Sequence, residues 1–322
     1  MLATTPEAGN LQRLRHILVV IDPTATQHPA LARARELARL SGARVELFAC
    51  NTRRDTEPMM TEEQLEKLAQ GLFDIGIETT VDVCSAATLH IGIVRKVLRC
   101  DPSLLVKDTH PHTLLHRTWL ANTDWQLIRL CPCPLLFVRP GPWGDPPRIA
   151  AAVDIALPGE KPAELDRTLL SAAESFALTC RGQLHAVHAY LPVSDFAAKA
   201  VVSAVPMATG FDAARVIADR ETLVREDLDA LVSTHHIPNT RRHLACGAPS
   251  DVLMGVVRQH NIDLLVMGAY SRGWIYNVMV GSTTERILDL LPCDVLVMKP
   301  ANFECPLQPL PGMQPSSSPR PN

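Results

Sequence analysis

The sequence predicts an α/β protein of two repeated domains, each an open five-stranded parallel sheet with helices on both faces. Three observations carry this reading. Leu104-Leu105-Val106 recurs as Leu264-Leu265-Val266, and the same separation of 160 residues relates Thr123 to Thr283, Leu130 to Leu290, Pro132-Cys133 to Pro292-Cys293, Leu136 to Leu296 and Pro140 to Pro300. Short apolar, β-branched runs alternate with amphipathic helical stretches, as a parallel sheet covered on both faces requires. A Pro/Gly-rich stretch, Arg139 to Pro147, separates the two copies. Upstream the separation shortens to 140 residues at Gly42/Gly182 and Ala49/Ala189, then to 132 at Asp22/Asp154, so the second copy holds insertions, the longest near 192–211.

The domains are placed at 1–140 and 148–301, with a linker at 141–147 and a tail at 302–322. In the first copy strands are expected near 15–22, 43–50, 77–83, 103–107 and 134–138. The first helix opens at Pro29, whose fixed φ suits an opening turn, and stops before Gly42, which can take the left-handed cap. In the second copy Leu165, Leu169, Ala172 and Phe176 share a helical face, and Gly182 is expected to close that helix before a strand from Leu184 to Ala189. The charged stretch Phe211 to His236 reads as a solvated covering helix. After Asn302 the chain is proline- and serine-rich, and packing is expected to end there. The fifth-strand edges, Leu135–Val138 and Val295–Met298, are expected to bury each other in an internal pseudo-dimer, because exposed apolar edges invite aggregation.

The 322 residues, 47% hydrophobic and 20% charged, can bury a sizeable core. A net charge of −3 gives no broad positive field, which argues against nucleic acid as a partner. No apolar run reaches membrane-spanning length and the start lacks an export signal, so a cytoplasmic protein with no membrane partner is expected. The nine cysteines are odd in number and mostly inside apolar runs, which reads as buried free thiols.

Ligands of open parallel sheets bind beyond the carboxyl ends of the strands. The fourth strand of the second copy, Asp263 to Met267, leads into Gly268-Ala-Tyr-Ser-Arg-Gly273, and a second turn, Gly281-Ser282-Thr283-Thr284, opens a helix. Glycine lets a phosphate approach the backbone, and a helix start offers unpaired N–H groups and the positive dipole end. The duplication, Asp154 at the end of a first strand, and the loop from Gly268 to Ser282 resemble the universal stress protein family in its tandem, E-type bacterial form, from about Arg15 to Pro300. That resemblance implies an adenine nucleotide alpha hydrolase-like fold, a regulatory role in stress, and a loop of the form G-x-x-G, nine residues, then G-[ST]. Here Gly268 and Gly281-Ser282 match, and Ser271 replaces the second glycine, where its Cβ restricts φ and crowds a phosphate.

Carried over residue by residue, the resemblance implies that Asp154 and Ala189 border adenine and ribose, that Met267 and Gly268 line the nucleotide, and that Ser271, Gly281, Ser282 and Thr283 hold the phosphates of ATP, with Mg. Asp154 has a structural alternative as a strand-end turn cap, and the glycine loop has one in packing. In the first copy Asp108, Pro111 and Ala121 replace the three glycines, and a carboxylate aimed at a phosphate site repels it, so that half is read as a packing partner.

His110, His112 and His116 could in principle hold zinc, but a local polar cluster is the simpler reading. Cys131 and Cys133 read as packed thiols, and His185 and His188 as sharing one face of a strand, as satisfied core or edge histidines rather than a catalytic base. No Walker motif, dinucleotide fingerprint, nucleophile elbow or zinc-protease motif occurs, so the chain is at most a slow ATPase. Two functions remain open: a regulator binding an adenine nucleotide in its second domain, or a nucleotide-free scaffold for an unknown protein partner or a hydrophobic metabolite.

Overall fold

A computed structural model describes residues 14–52, 59–109, 120–155, 164–190, 213–269, 288 and 290–307. The first repeat runs β1 (His16–Val20), α1 (Pro29–Ser41), β2 (Arg44–Thr52), α2 (Glu62–Phe73), β3 (Thr79–Ala86), α3 (Leu89–Cys100), β4 (Leu104–Asp108), α4 (Leu120–Leu130) and β5 (Leu135–Val138). The second runs β6 (Arg148–Ala152), α5 (Glu164–Thr179), β7 (Gln183–Tyr190), α6 (Ala213–Val232), β8 (Arg242–Cys246), α7 (Pro249–His260), β9 (Leu264–Gly268) and β10 (Asp294–Met298).

The ten strands form one sheet in the order β3-β2-β1-β4-β5-β10-β9-β6-β7-β8, so the second half mirrors the order of the first. Pairing is parallel within each half. At the junction β5 and β10 run antiparallel, with Leu136 opposite Leu296 and Phe137 opposite Val295. The residues paired across it, Leu135–Phe137 and Val295–Val297, are all apolar, and pairing them removes these two edges from water, as the sequence predicts. Helices α1, α2, α5 and α6 cover one face of this sheet, and α3, α4 and α7 cover the other. Each of the two apolar cores crosses the junction, one through Leu136 and Leu296, the other through Phe137 and Val295.

Local signals explain several boundaries. Pro29 opens α1, and Gly42 ends it at φ 75°, donating its N–H to Ala38 O at 2.8 Å. Thr61 and Gln64 form a reciprocal capping box that starts α2. Gly182 closes α5 before β7 as expected, and it has a second part. The left-handed residue after α5 is Arg181, at φ 52°, while Gly182 donates to Ala177 O and passes so close to the linker that an added Cβ would lie 2.5 Å from Pro147 O. Glycine is required there by proximity.

His185 and His188 are buried, hydrogen-bonded strand histidines as expected, but they do not share a face. Side chains alternate along a strand, so a spacing of three puts them on opposite faces: His185 meets His243, and His188 meets the backbone of Val153. Residues 303–307, expected to lie beyond the packed chain, turn back so that Cys305 and Leu307 contact the second core, and Lys299 sits 4.3 Å from the Phe303 ring.

The junction carries one buried ionic centre. Asp294, at the start of β10, accepts from Arg33 Nε of α1 at 2.9 Å, from the Arg139 N–H at 2.8 Å and from Trp143 Nε1 at 2.9 Å. The Arg33 guanidinium also lies 4.2 Å from the Trp143 ring and donates to Gly141 O. First repeat, linker and second repeat therefore converge on one carboxylate.

Candidate functional site

Strands β9, β6 and β7 are neighbours, so their carboxyl ends bring Gly268, Asp154 and Ala189 to the same end of the sheet. Asp154 is exposed just beyond β6, Ala189 is half-buried, and Met267 is buried beside Val297 of β10. Ser271, Gly281, Ser282 and Thr283 lie outside the described residues, as do His110, His112 and His116.

Two buried side chains shape this end: Asp166, which sequence reasoning missed, and His188, which it read as a satisfied strand histidine. Asp166, in the first turn of α5, accepts the Asp154 N–H at 3.0 Å. A carboxylate in a first turn also complements the helix dipole. His188 lies 3.0 Å through Nδ1 from Val153 O, and the Ile155 N–H approaches the same nitrogen at 3.4 Å. The turn that presents Asp154 is thus tied to α5 on one side and β7 on the other. The available signal was positional: His188 directly precedes Ala189, on the strand next to β6. Gly268 allows a close approach of another kind, since a Cβ added there would meet Leu165 Cδ2 of α5 at 3.0 Å.

The equivalent end of the first repeat is filled by its own charges. Asp108 occupies the position of Gly268, but its carboxylate does not face an open site. It is buried and accepts the Ala30 N–H at the start of α1. This corrects the expectation of a carboxylate aimed at a phosphate site: the helix N-terminus, rich in unpaired donors, has drawn the anion to itself. On the opposite face Lys107 Nζ pairs with Asp124 Oδ1 at 2.9 Å and donates to Asp108 O. Asp22, the counterpart of Asp154, accepts from the Thr24 N–H and hydroxyl in a local turn. A lysine within a buried strand demands an acidic partner, and that was the unused clue to Asp124.

Elsewhere, ligand atoms of His16, Glu46 and Cys100 lie within 4.8 Å of one another. Lys96 binds the second Glu46 oxygen and Arg44 approaches His16 Nδ1 at 3.3 Å. Burial alone would raise the Glu46 carboxyl, but hydrogen bonds from His16 and Lys96 hold it down at about 2. Burial and Glu46 push the Cys100 thiol up to about 12. The neighbouring cations already neutralise this carboxylate and the thiol keeps its proton, so the group reads as an ion-pair network. A cleft of about 680 Å³ opens between α1 and the linker, lined by His28, Arg33, Arg35, Arg39 and Gly141 among others, and contains none of the predicted site residues. Cys131 and Cys133 are buried with their sulfurs 3.5 Å apart, as expected of packed thiols. No helix among the described residues is long and apolar enough to cross a membrane.

Fold and site together define a tandem, doubly wound α/β protein whose two strand-end positions have diverged, one filled by internal charge and one keeping glycine. Residues 13–139 and 148–299 each match the universal stress protein family, and the chain belongs to that family. It is 25% identical to universal stress protein E of Photorhabdus laumondii over 91% of this chain and 98% of that protein, and 25% identical to universal stress protein E of Escherichia coli K12 over 91% and 96%. Among solved structures, a Pseudomonas aeruginosa protein described as functionally unknown aligns with a TM-score of 0.71 at 26% identity, covering 90% of this chain and 94% of its own.

Proposed function

We propose that this stress protein binds ATP or a related adenine nucleotide, with Mg²⁺, in its second repeat, and that the bound ligand regulates its conformation or partnership. One contrast carries the reading: Asp108 and the Lys107–Asp124 pair occupy the first strand end with internal charge, whereas the homologous position in the second repeat is Gly268, beside an exposed Asp154. Asp154 and Ala189 would border adenine and ribose, Met267 and Gly268 would line the nucleotide, and Ser271, Gly281, Ser282 and Thr283 would receive the phosphates. A helix start preceded by glycine suits that task because its N–H groups are unsatisfied within the helix.

A second reading draws on the packing of Leu165 against Gly268: the glycine serves the α5 contact, and the protein is a nucleotide-free scaffold. Titration of the full chain with ATP and Mg²⁺ separates the two. Saturable binding that Gly281→Asp abolishes supports the nucleotide reading, and no binding at millimolar ATP overturns it. Phosphate release lost in the same variant would add slow hydrolysis.

A further inference from the structure

Cys50 of β2 and Cys84 of β3 are direct partners in the parallel register, so their side chains stand side by side on the face covered by α3. Each thiol is the leading influence on the protonation of the other. Neighbouring strands lie about 4.8 Å apart, inside the Cα separation of about 4.4–6.8 Å that a disulfide spans. Strand β3 is the edge of the ten-stranded sheet and is paired on one side alone, so a small shift that brings the two sulfurs together strains no further strand.

The surroundings divide the labour between the two thiols. Cys50 is 4% exposed, and its sulfur fills the space left by Gly92 of α3, where an added Cβ would overlap Cys50 Sγ. Cys84 is half-buried, reachable from solvent. The neighbouring Cys50 comes first among the influences that lower the Cys84 thiol; burial and Asp82 oppose it, and Arg99 and Lys96 of α3 assist it. The neighbouring Cys84, then burial, pushes Cys50 above the ordinary thiol range. An accessible thiol lowered by its neighbours, beside a buried thiol that is raised, is the arrangement that reacts selectively with oxidants.

We propose that Cys50 and Cys84 form a reversible dithiol/disulfide site that reacts with hydroperoxides, Cys84 attacking first and Cys50 resolving. The Cys84 thiolate attacks a peroxide oxygen and the O–O bond breaks, giving Cys84 sulfenic acid and hydroxide or alkoxide. Cys50 sulfur then attacks the sulfenic sulfur. The S–S bond forms, the S–O bond breaks, and the departing hydroxide takes the Cys50 proton to leave as water. The two thiols lose two electrons and two protons, and the hydroperoxide is reduced to water plus water or alcohol. A thiol donor returns the pair to the reduced state by exchange.

Cys131 and Cys133 provide an internal comparison: their sulfurs are 3.5 Å apart, but both are buried, and hydrogen bonding to Cys131 and burial push Cys133 well above the usual range. Closeness without access or an acidic partner should leave that pair slow.

The test treats the full-length reduced protein with stoichiometric hydrogen peroxide, blocks remaining thiols with an alkylating agent, and maps peptides by mass spectrometry. The expected result is loss of two of the nine free thiols, recovery of a single cross-linked peptide pair holding Cys50 and Cys84, and its disappearance on dithiothreitol treatment. Cys50→Ala should leave a Cys84 sulfenic acid that dimedone traps, and Cys84→Ala should leave Cys50 unoxidised. Alkylation of both Cys50 and Cys84 after peroxide overturns the proposal, as does a disulfide forming first at Cys131–Cys133. Mapping of the unsubstituted protein decides even if a variant fails to fold.

Discussion

Replacing Arg33 with Met tests whether the two repeats are held by one buried ionic centre. Arg33 and Asp294 are 4% and 2% exposed, and methionine keeps the apolar stem of arginine while deleting its charge. Asp294 would retain the Arg139 N–H and Trp143 Nε1 as donors but would lose its only cationic partner among the described residues. A buried charge stripped of its partner costs about 3–5 kcal/mol. Loss of the half-exposed Glu36 contact adds only a few tenths. Burial, only partly offset by Arg33 and the remaining donors, already raises the Asp294 carboxyl above its ordinary value, and removing Arg33 raises it further. A raised carboxylate binds its proton more tightly in the folded chain, so the variant should regain stability relative to the parent as pH falls through that folded value toward the unfolded one. Urea unfolding followed by circular dichroism at neutral and mildly acid pH gives both numbers. Arg33→Met/Asp294→Asn should be more stable than Arg33→Met alone, because the amide is neutral and still accepts from Arg139. A loss at neutral pH below about 1 kcal/mol, the scale of a surface pair, would refute the reasoning.

Two further predictions concern stability. His185 and His243 are each pushed down to about 4, first by burial and then by neighbouring imidazoles, His260 lying 4.1 Å from His243 ring to ring. Their neutral forms are favoured in the fold, so stability should be complete above about pH 6.5 and fall by a few kcal/mol toward pH 4. Most of that loss should come from buried His185, since solvent screens the half-buried His243; His185→Phe should flatten thermal melts across this window. Gly182→Ala should destabilise by about 1–3 kcal/mol, the usual cost of forcing a group into a packed site, because its Cβ would meet Pro147 O; an unchanged urea midpoint would show that the linker yields freely.

The frame of the fold was legible because it rests on local signals. Apolar runs place all five strands of the first repeat to within a few residues, Pro29 and Gly42 bound α1, and the apolar fifth-strand edges of a duplicated unit implied the β5–β10 junction. What escaped reading depends on contacts distant in sequence. Arg33 meets Asp294 across 261 residues, and no periodicity in the sequence marks either as a partner. His188 looked like half of a pair with His185, yet its partner is the backbone beyond β6. Gly182 was legible as the close of α5, but the linker pressing on it is set by the junction of the two halves.

The two strand ends solve one electrostatic problem differently, and that difference explains how a duplicated fold tolerates divergence at its site. A helix start beside a strand end leaves N–H donors that an anion satisfies best. In the first repeat the chain supplies the anion itself: Asp108 engages Ala30 N–H, and its neighbour Lys107 balances Asp124 on the other face. In the second repeat the acid has moved from the strand to the helix, where Asp166 sits in the first turn of α5 and reaches back to the Asp154 N–H. With no side chain at Gly268, Leu165 and Leu169 of α5 close against the strand end on one face, and Asp154 is left exposed at its rim. The sheet does not distinguish these solutions, because both keep the apolar strands and the junction intact. The two halves can therefore differ at a few strand-end and helix-start residues while sharing the same strand order and one apolar junction.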